Sequence, residues 1–200
     1  MIKTKEDLRF YLQQDKVVNK TSKNKIKEIL FPSPTLHFLK ILRYLEYYEN
    51  TSTLKSRILR LYYKFKLRKL SIKLGFTIPT NVCGPGLSLP HYGTIIINPQ
   101  AKIGSNCRLH ACVNIGASAG SKLAPQIGDN VYIGPGAILF GNINITNNVT
   151  IGANATVNKD CSEEYCVLAG SPAKIVKTGM PNWLEFNKVS TINKKLYCNN

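Results

Sequence analysis

The chain has 200 residues, room for one domain and an appendage. Hydrophobic residues make up 44% and charged residues 19%, a globular rather than disordered composition, and no apolar run approaches the roughly 20 residues of a membrane-spanning helix. The formal net charge of +16 is uneven: residues 1–75 carry 18 Lys and Arg against 6 Asp and Glu, whereas residues 76–200 carry 9 against 5. Met1 to Asp7 is charged and lacks an apolar stretch with a small-residue cleavage site, so no secretory signal is expected and the chain is expected in the cytosol. The six cysteines, Cys83, Cys107, Cys112, Cys161, Cys166 and Cys198, have no C-x-x-C spacing; free, mostly buried thiols and no metal site are expected.

In chain order, Leu8 to Val18 and Leu36 to Glu49 read as helices, separated by Phe31-Pro32-Ser33-Pro34, whose prolines interrupt any helix crossing them. A third helix follows in the segment LKSRILRLYYKFKLRKLSIK, residues 54–73, with Leu54, Ile58, Leu61, Tyr62 and Phe65 at helical spacing and Gly75 placed to end it. No acidic residue lies between Glu49 and Asp129; eleven bases do, eight of them from Leu54 to Lys73. The leading reading is a helix that packs its apolar stripe and solvates its basic face. Contact with an anionic membrane surface or a lipid-linked substrate, at the inner face of the membrane, is the alternative, followed by the phosphates of a cofactor; no nucleic-acid partner is expected. Residues 1–75 thus form a small basic helical cap.

From about residue 91 the sequence repeats every six residues. An aliphatic residue stands at Ile97, Ile103, Leu109 and Ile115, then at Ile127, Ile133, Leu139, Ile145, Ile151 and Val157. Four residues after each comes a small or branched one: Ala101, Cys107, Val113, Ala119, Val131, Ala137, Ile143, Val149, Ala155 and Cys161. Neither a helix of period 3.6 nor an alternating strand of period 2 produces a strict six. A solenoid with short straight sides does, each coil burying its inner face on the next. Between Ile115 and Ile127 the aliphatic position falls on Ser121, so Ser118 to Pro125 reads as a loop leaving the coil, with an irregular coil as the alternative.

This pattern resembles the hexapeptide-repeat acyltransferases, over residues 76–178, with residues 179–200 as a tail. The resemblance implies a mainly β protein: a left-handed parallel β-helix of triangular coils beneath the helical cap. It also implies a homotrimer with acetyl-CoA sites in the grooves between subunits.

Three histidines are present, and His37 reads as a helix residue. His91 lies six before Ile97, in the register that elsewhere holds an inward aliphatic, which suggests a coil opened toward a groove; a structural histidine is the alternative. The stretch Leu89-Pro90-His91-Tyr92-Gly93-Thr94-Ile95-Ile96-Ile97 is similar to the serine O-acetyltransferases, whose histidine at this register is the general base for the acceptor hydroxyl. An imidazole suits that work near neutral pH. His110, directly after Leu109, reads as a corner or outward residue. For the cofactor, the resemblance points to Gly116, Ala117, Gly136, Ala137, Gly152, Ala153, Lys159 and the closing Gly170-Ser171-Pro172-Ala173-Lys174; for the acceptor, Tyr92, Asn114 and Lys122 are the candidates.

Where the serine O-acetyltransferases have Asp before the histidine this chain has Pro90, and where their loop has Arg-His-Pro it has Leu123-Ala124-Pro125. A zwitterion needs both a carboxylate and a cation beside it. The expected activity is therefore acetyl transfer from acetyl-CoA to a neutral hydroxyl, most simply on a sugar of a surface polysaccharide, with serine O-acetylation as the alternative.

Overall fold

A computed structural model describes residues 1–19 and 33–192. Phe31, Pro32 and Cys198 lie outside the described residues.

Three helices precede the strands: α1 (Lys5–Val18), α2 (Pro34–Glu49) and α3 (Leu54–Leu74). The first two begin two or three residues ahead of the sequence expectation because their caps lie upstream. The Thr4 hydroxyl accepts from the Asp7 amide while the Asp7 carboxylate accepts from the Thr4 amide; Ser33 caps α2, with Pro34 in its first turn. Gly75 ends α3 in the left-handed region, φ 78°, where a side chain would be strained.

The chain then winds into a triangular prism with three sheet faces. The first stacks β1 (Phe76–Thr77), β2 (Ile95–Ile97), β5 (Asn114–Gly116), β8 (Ile138–Phe140) and β11 (Thr156–Val157); the second stacks β3 (Lys102–Ile103), β6 (Gln126–Ile127) and β9 (Asn144–Ile145). The third holds β4 (Arg108–Leu109), β7 (Tyr132–Ile133), β10 (Thr150–Ile151) and β12 (Val167–Gly170), closed at its edge by β13 (Ala173–Lys177). Pairing is parallel except for the final β12–β13 pair. Ile97 pairs with Ile115 and Ile133 with Ile151, eighteen residues apart, as coils of three hexads require.

The repeat's aliphatic residues point inward in one continuous core, and each fully buried Ile or Leu contributes about 1.5–3 kcal/mol of burial. The small position of each hexad is buried too, with Cys107, Val131, Ala137, Val149 and Ala155 all at 0% exposure. One assignment changes: Ala119 is exposed. Residues 117–125 leave the coil, turning where the Ser121 amide bonds the Ser118 carbonyl, and Ala124 and Pro125 re-enter beneath Ile127. Along the corner between the second and third faces runs a ladder the hexad pattern does not reveal. Asn106, Asn130 and Asn148 all take left-handed backbone, and each amide nitrogen of the first two donates to the next asparagine's oxygen, at 3.2 and 3.0 Å.

The cap is fastened to the first coil by Arg43, which is wholly buried. It bonds Asp15 at 2.8 Å, Glu46 at 3.0 Å, and the carbonyls of Cys83 and Gly84. Burial opposes its charge, but Asp15 and Glu46 more than offset this and hold the guanidinium well above its usual range. Asp15 in turn accepts from the amides of Gly86 and Leu87, so one ion cluster ties α1, α2 and the prism together.

Helix α3 packs with the opposite face from the one expected. Leu67 and Leu74 are buried and Tyr63 and Leu70 lie against the core, whereas Leu54, Ile58, Leu61, Tyr62 and Phe65 face outward. Four of the five cysteines among the described residues are buried and all five are free; Cys112 is exposed.

Candidate active site

His91 does not occupy an inward register. Ser88 pairs with Arg108, which sets Leu89 beside Leu109; yet Leu89 to Ile97 spans eight residues where Leu109 to Ile115 spans six. The two extra residues lengthen the corner between the third and first faces. They carry His91 and Tyr92 out to the surface, while Leu89 keeps the inward place. The turn needs Gly93, at φ 131°, where an added Cβ would also press the Ala111 methyl at 3.2 Å. The Gly93 amide donates to the Leu74 carbonyl at 2.9 Å, which fixes this corner to the end of α3.

The His91 ring meets His110, centroid to centroid 5.8 Å, and His110 meets Tyr132 at 4.9 Å. His110 is directed outward from the third face, as its position suggests, but it is covered. The tail folds back over that face through a short helix, α4 (Trp183–Phe186), capped by Asn182; the Trp183 indole donates to the Asn106 carbonyl at 2.8 Å, and the Arg108 guanidinium lies 5.2 Å from its ring. Between tail and sheet lies a cavity of about 420 Å³ lined by Arg108, His110, Tyr132, Thr150, Val167 and Met180 among others. Nε2 of His110 and Nε of Arg108 are buried without a hydrogen-bond partner among the described residues. Burial, then the charges of Arg108 and His91, push the His110 pKa down to about 4, so this ring is neutral at neutral pH. Arg108 and Tyr132 were missed in the sequence because they sit at outward positions of the hexads, where the repeat sets no residue type.

The remaining candidates divide between two edges of the first face. Gly136, Ala137, Gly152 and Ala153 lie on the same corner column as His91; Ala137 is wholly buried and offers only backbone, while Ala153 is exposed. Gly116, Ala117, the loop bearing Lys122, and Lys159 lie at the opposite edge, where the chain passes to the second face. A Cβ on Gly116 would meet only the Asn114 side chain, at 3.4 Å, so the space beside this corner is open. Asn114 stands mid-face between Ile96 and Ile138, with which it is in register. Lys174 and Lys177 are exposed on β13. One chain therefore does not bring its own two sets of corner residues together. Among the described residues no cluster of three potential metal ligands occurs.

A family model described as bacterial transferase hexapeptide (six repeats) matches residues 124–159. A serine acetyltransferase of Staphylococcus aureus is 38% identical over 96 residues, which is 47% of this chain and 45% of that protein; the chain thus matches about half the length of its curated relative. Among solved structures, a Neisseria gonorrhoeae serine acetyltransferase in complex with serine superposes with a TM-score of 0.63 at 25% identity, covering 84% of this chain and 67% of the other. A second structure of the Neisseria gonorrhoeae enzyme gives a TM-score of 0.70 at 23% identity over 94% of this chain and 73% of that one. The chain therefore has the left-handed parallel β-helix fold of the solved serine acetyltransferases, and about half of its length is similar in sequence to hexapeptide-repeat serine acetyltransferases.

Proposed function

We propose that this protein transfers an acetyl group from acetyl-CoA to an acceptor hydroxyl, with His91 as general base. Its support is an exposed imidazole on a lengthened corner, in the same corner column that carries Gly136 two coils on and Gly152 and Ala153 three coils on. The imidazole takes the hydroxyl proton as the oxygen attacks the thioester carbonyl; the carbon–sulfur bond breaks, and the departing thiolate recovers that proton. Backbone at Gly116, Ala117, Gly136, Ala137, Gly152 and Ala153 would line the donor, with Lys159 and Lys174 as point charges for its phosphates.

A homotrimer suits this division of labour. Packing first faces about a threefold axis would bring Ala117 and Lys122 of one chain beside His91 of the next, and would cover Ile96 and Ile138, which stand exposed on an otherwise flat face. Sedimentation as an active trimer is the expected result; an active monomer would refute the assembly.

The relatives' likeness favours serine as the acceptor more than it favours a polysaccharide sugar. What supports a neutral hydroxyl is the residue before the base, Pro90, and the absence of any Asp or Glu from Asn50 to Gly128 in the sequence. Thiol release from acetyl-CoA, measured with serine and with a panel of sugars, separates the two. Turnover with serine alone establishes the serine reading, turnover with sugars alone the neutral one, and no release with either overturns acetyl transfer to these acceptors. The cytosolic location expected from the sequence goes with either reading.

A further inference from the structure

We propose that α3 is a membrane-surface element, whose outward stripe and flanking bases dock the protein on an anionic lipid bilayer and hold the His91 corner at that surface. Leu54, Ile58, Leu61, Tyr62, Phe65 and Ile72 are between 47% and 76% exposed. At about 100° per residue they fall within an arc of roughly 100°, on the side of the helix away from Leu67 and Leu74. Bases line both margins: Lys55, Lys66 and Lys73 on one, Arg57, Lys64 and Arg68 on the other. Two cation–π contacts join bases to the stripe, with Lys66 Nζ 4.6 Å from the Tyr62 ring centroid and Lys69 Nζ, within the arc itself, 4.5 Å from that of Phe65. From Leu54 to Ile72 the stripe runs about 27 Å, long enough to lie in the headgroup region along its whole length.

Charge selects the occupant. The helix carries eight bases and no acid, so a second copy's α3 would set eight positive charges against eight, whereas an anionic lipid surface complements them. Docking would also have a consequence for the site. The last turn of α3 is joined to the His91 corner by backbone bonds, Gly93 N to Leu74 O at 2.9 Å and Ile95 N to Gly75 O at 3.0 Å, so a helix lying on the bilayer fixes that corner's distance from it.

The test uses the full chain and phosphatidylcholine vesicles with or without phosphatidylglycerol, with co-sedimentation read at low and high salt. Binding is expected only with the anionic lipid and is expected to weaken steeply with salt. Replacing Lys64, Lys66, Arg68 and Lys69 by Gln should lower the partition coefficient more than about a hundredfold, at roughly fivefold per base. Leu61→Ser with Phe65→Ser should lower it at least about tenfold with thermal unfolding unchanged. No binding at low salt, or equal binding to neutral vesicles, overturns the proposal, and the unaltered chain decides this even where a variant fails to fold. A lower oligomeric mass in the serine variant would make the stripe a contact between copies and overturn it equally. The assay contains no acetyl donor or acceptor, so its failure leaves the acetyl-transfer reading standing.

Discussion

The prism and α3 both announce themselves by apolar periodicity, yet only in the prism does the periodic residue go inside. A hexad has one inward direction, because the triangular coil encloses its own core and every aliphatic position faces the same axis. A single helix has no such enclosure. In α3 apolar residues stand on both sides, Leu67 and Leu74 on one and Leu61 and Phe65 on the other, and the prism takes the first pair. Period identifies which residues share a face; it does not say what covers that face.

The largest effect expected from disturbing this arrangement lies at the joint between the two regions. Arg43→Ala leaves Asp15 and Glu46 buried without their cation, and should cost about 3–5 kcal/mol in chemical denaturation. A loss below about 1 kcal/mol would mean that cap and prism do not depend on this cluster. The next contrast sets matched substitutions against each other. Ile133→Ala, at 0% exposure, should cost about 2–5 kcal/mol, while Ile58→Ala on the outward stripe should stay within about 0.5 kcal/mol. Similar costs at the two sites would place the α3 stripe inside an interface.

A smaller effect is expected under the tail. The His110 pKa is depressed in the folded protein, so its neutral form is favoured on folding; that stability is fully present above the unfolded value near 6.5 and declines as pH falls toward about 4. Urea unfolding of wild type and His110→Gln across that range should differ in slope, with the variant losing less stability on acidification. Parallel curves would mean that the ring is open to water rather than covered by Trp183 and its neighbours.

The coil architecture was legible because ten hexads repeat one instruction, and the loop from Ser118 to Pro125 because Ser121 breaks it. The placement of His91 was not legible: the six-residue spacing to Ile97 mimics the repeat, and only the pairing of Ser88 with Arg108 exposes the lengthened corner. The tail over the third face was not legible at all. Its packing depends on outward residues, Arg108, Tyr132 and Trp183, which the hexad leaves free to vary, and on contacts spanning some seventy-seven residues, such as that from Trp183 to Asn106.

In the proposed reaction the exposed imidazole at the lengthened corner performs the proton transfer. Thiol release by His91→Ala, measured beside acetyl-CoA binding by thermal shift, tests it most directly. A fall in turnover of about 10² to 10⁴ with acetyl-CoA stabilisation retained is expected of a general base. Turnover equal to wild type, or loss of acetyl-CoA binding in step with activity, would contradict it.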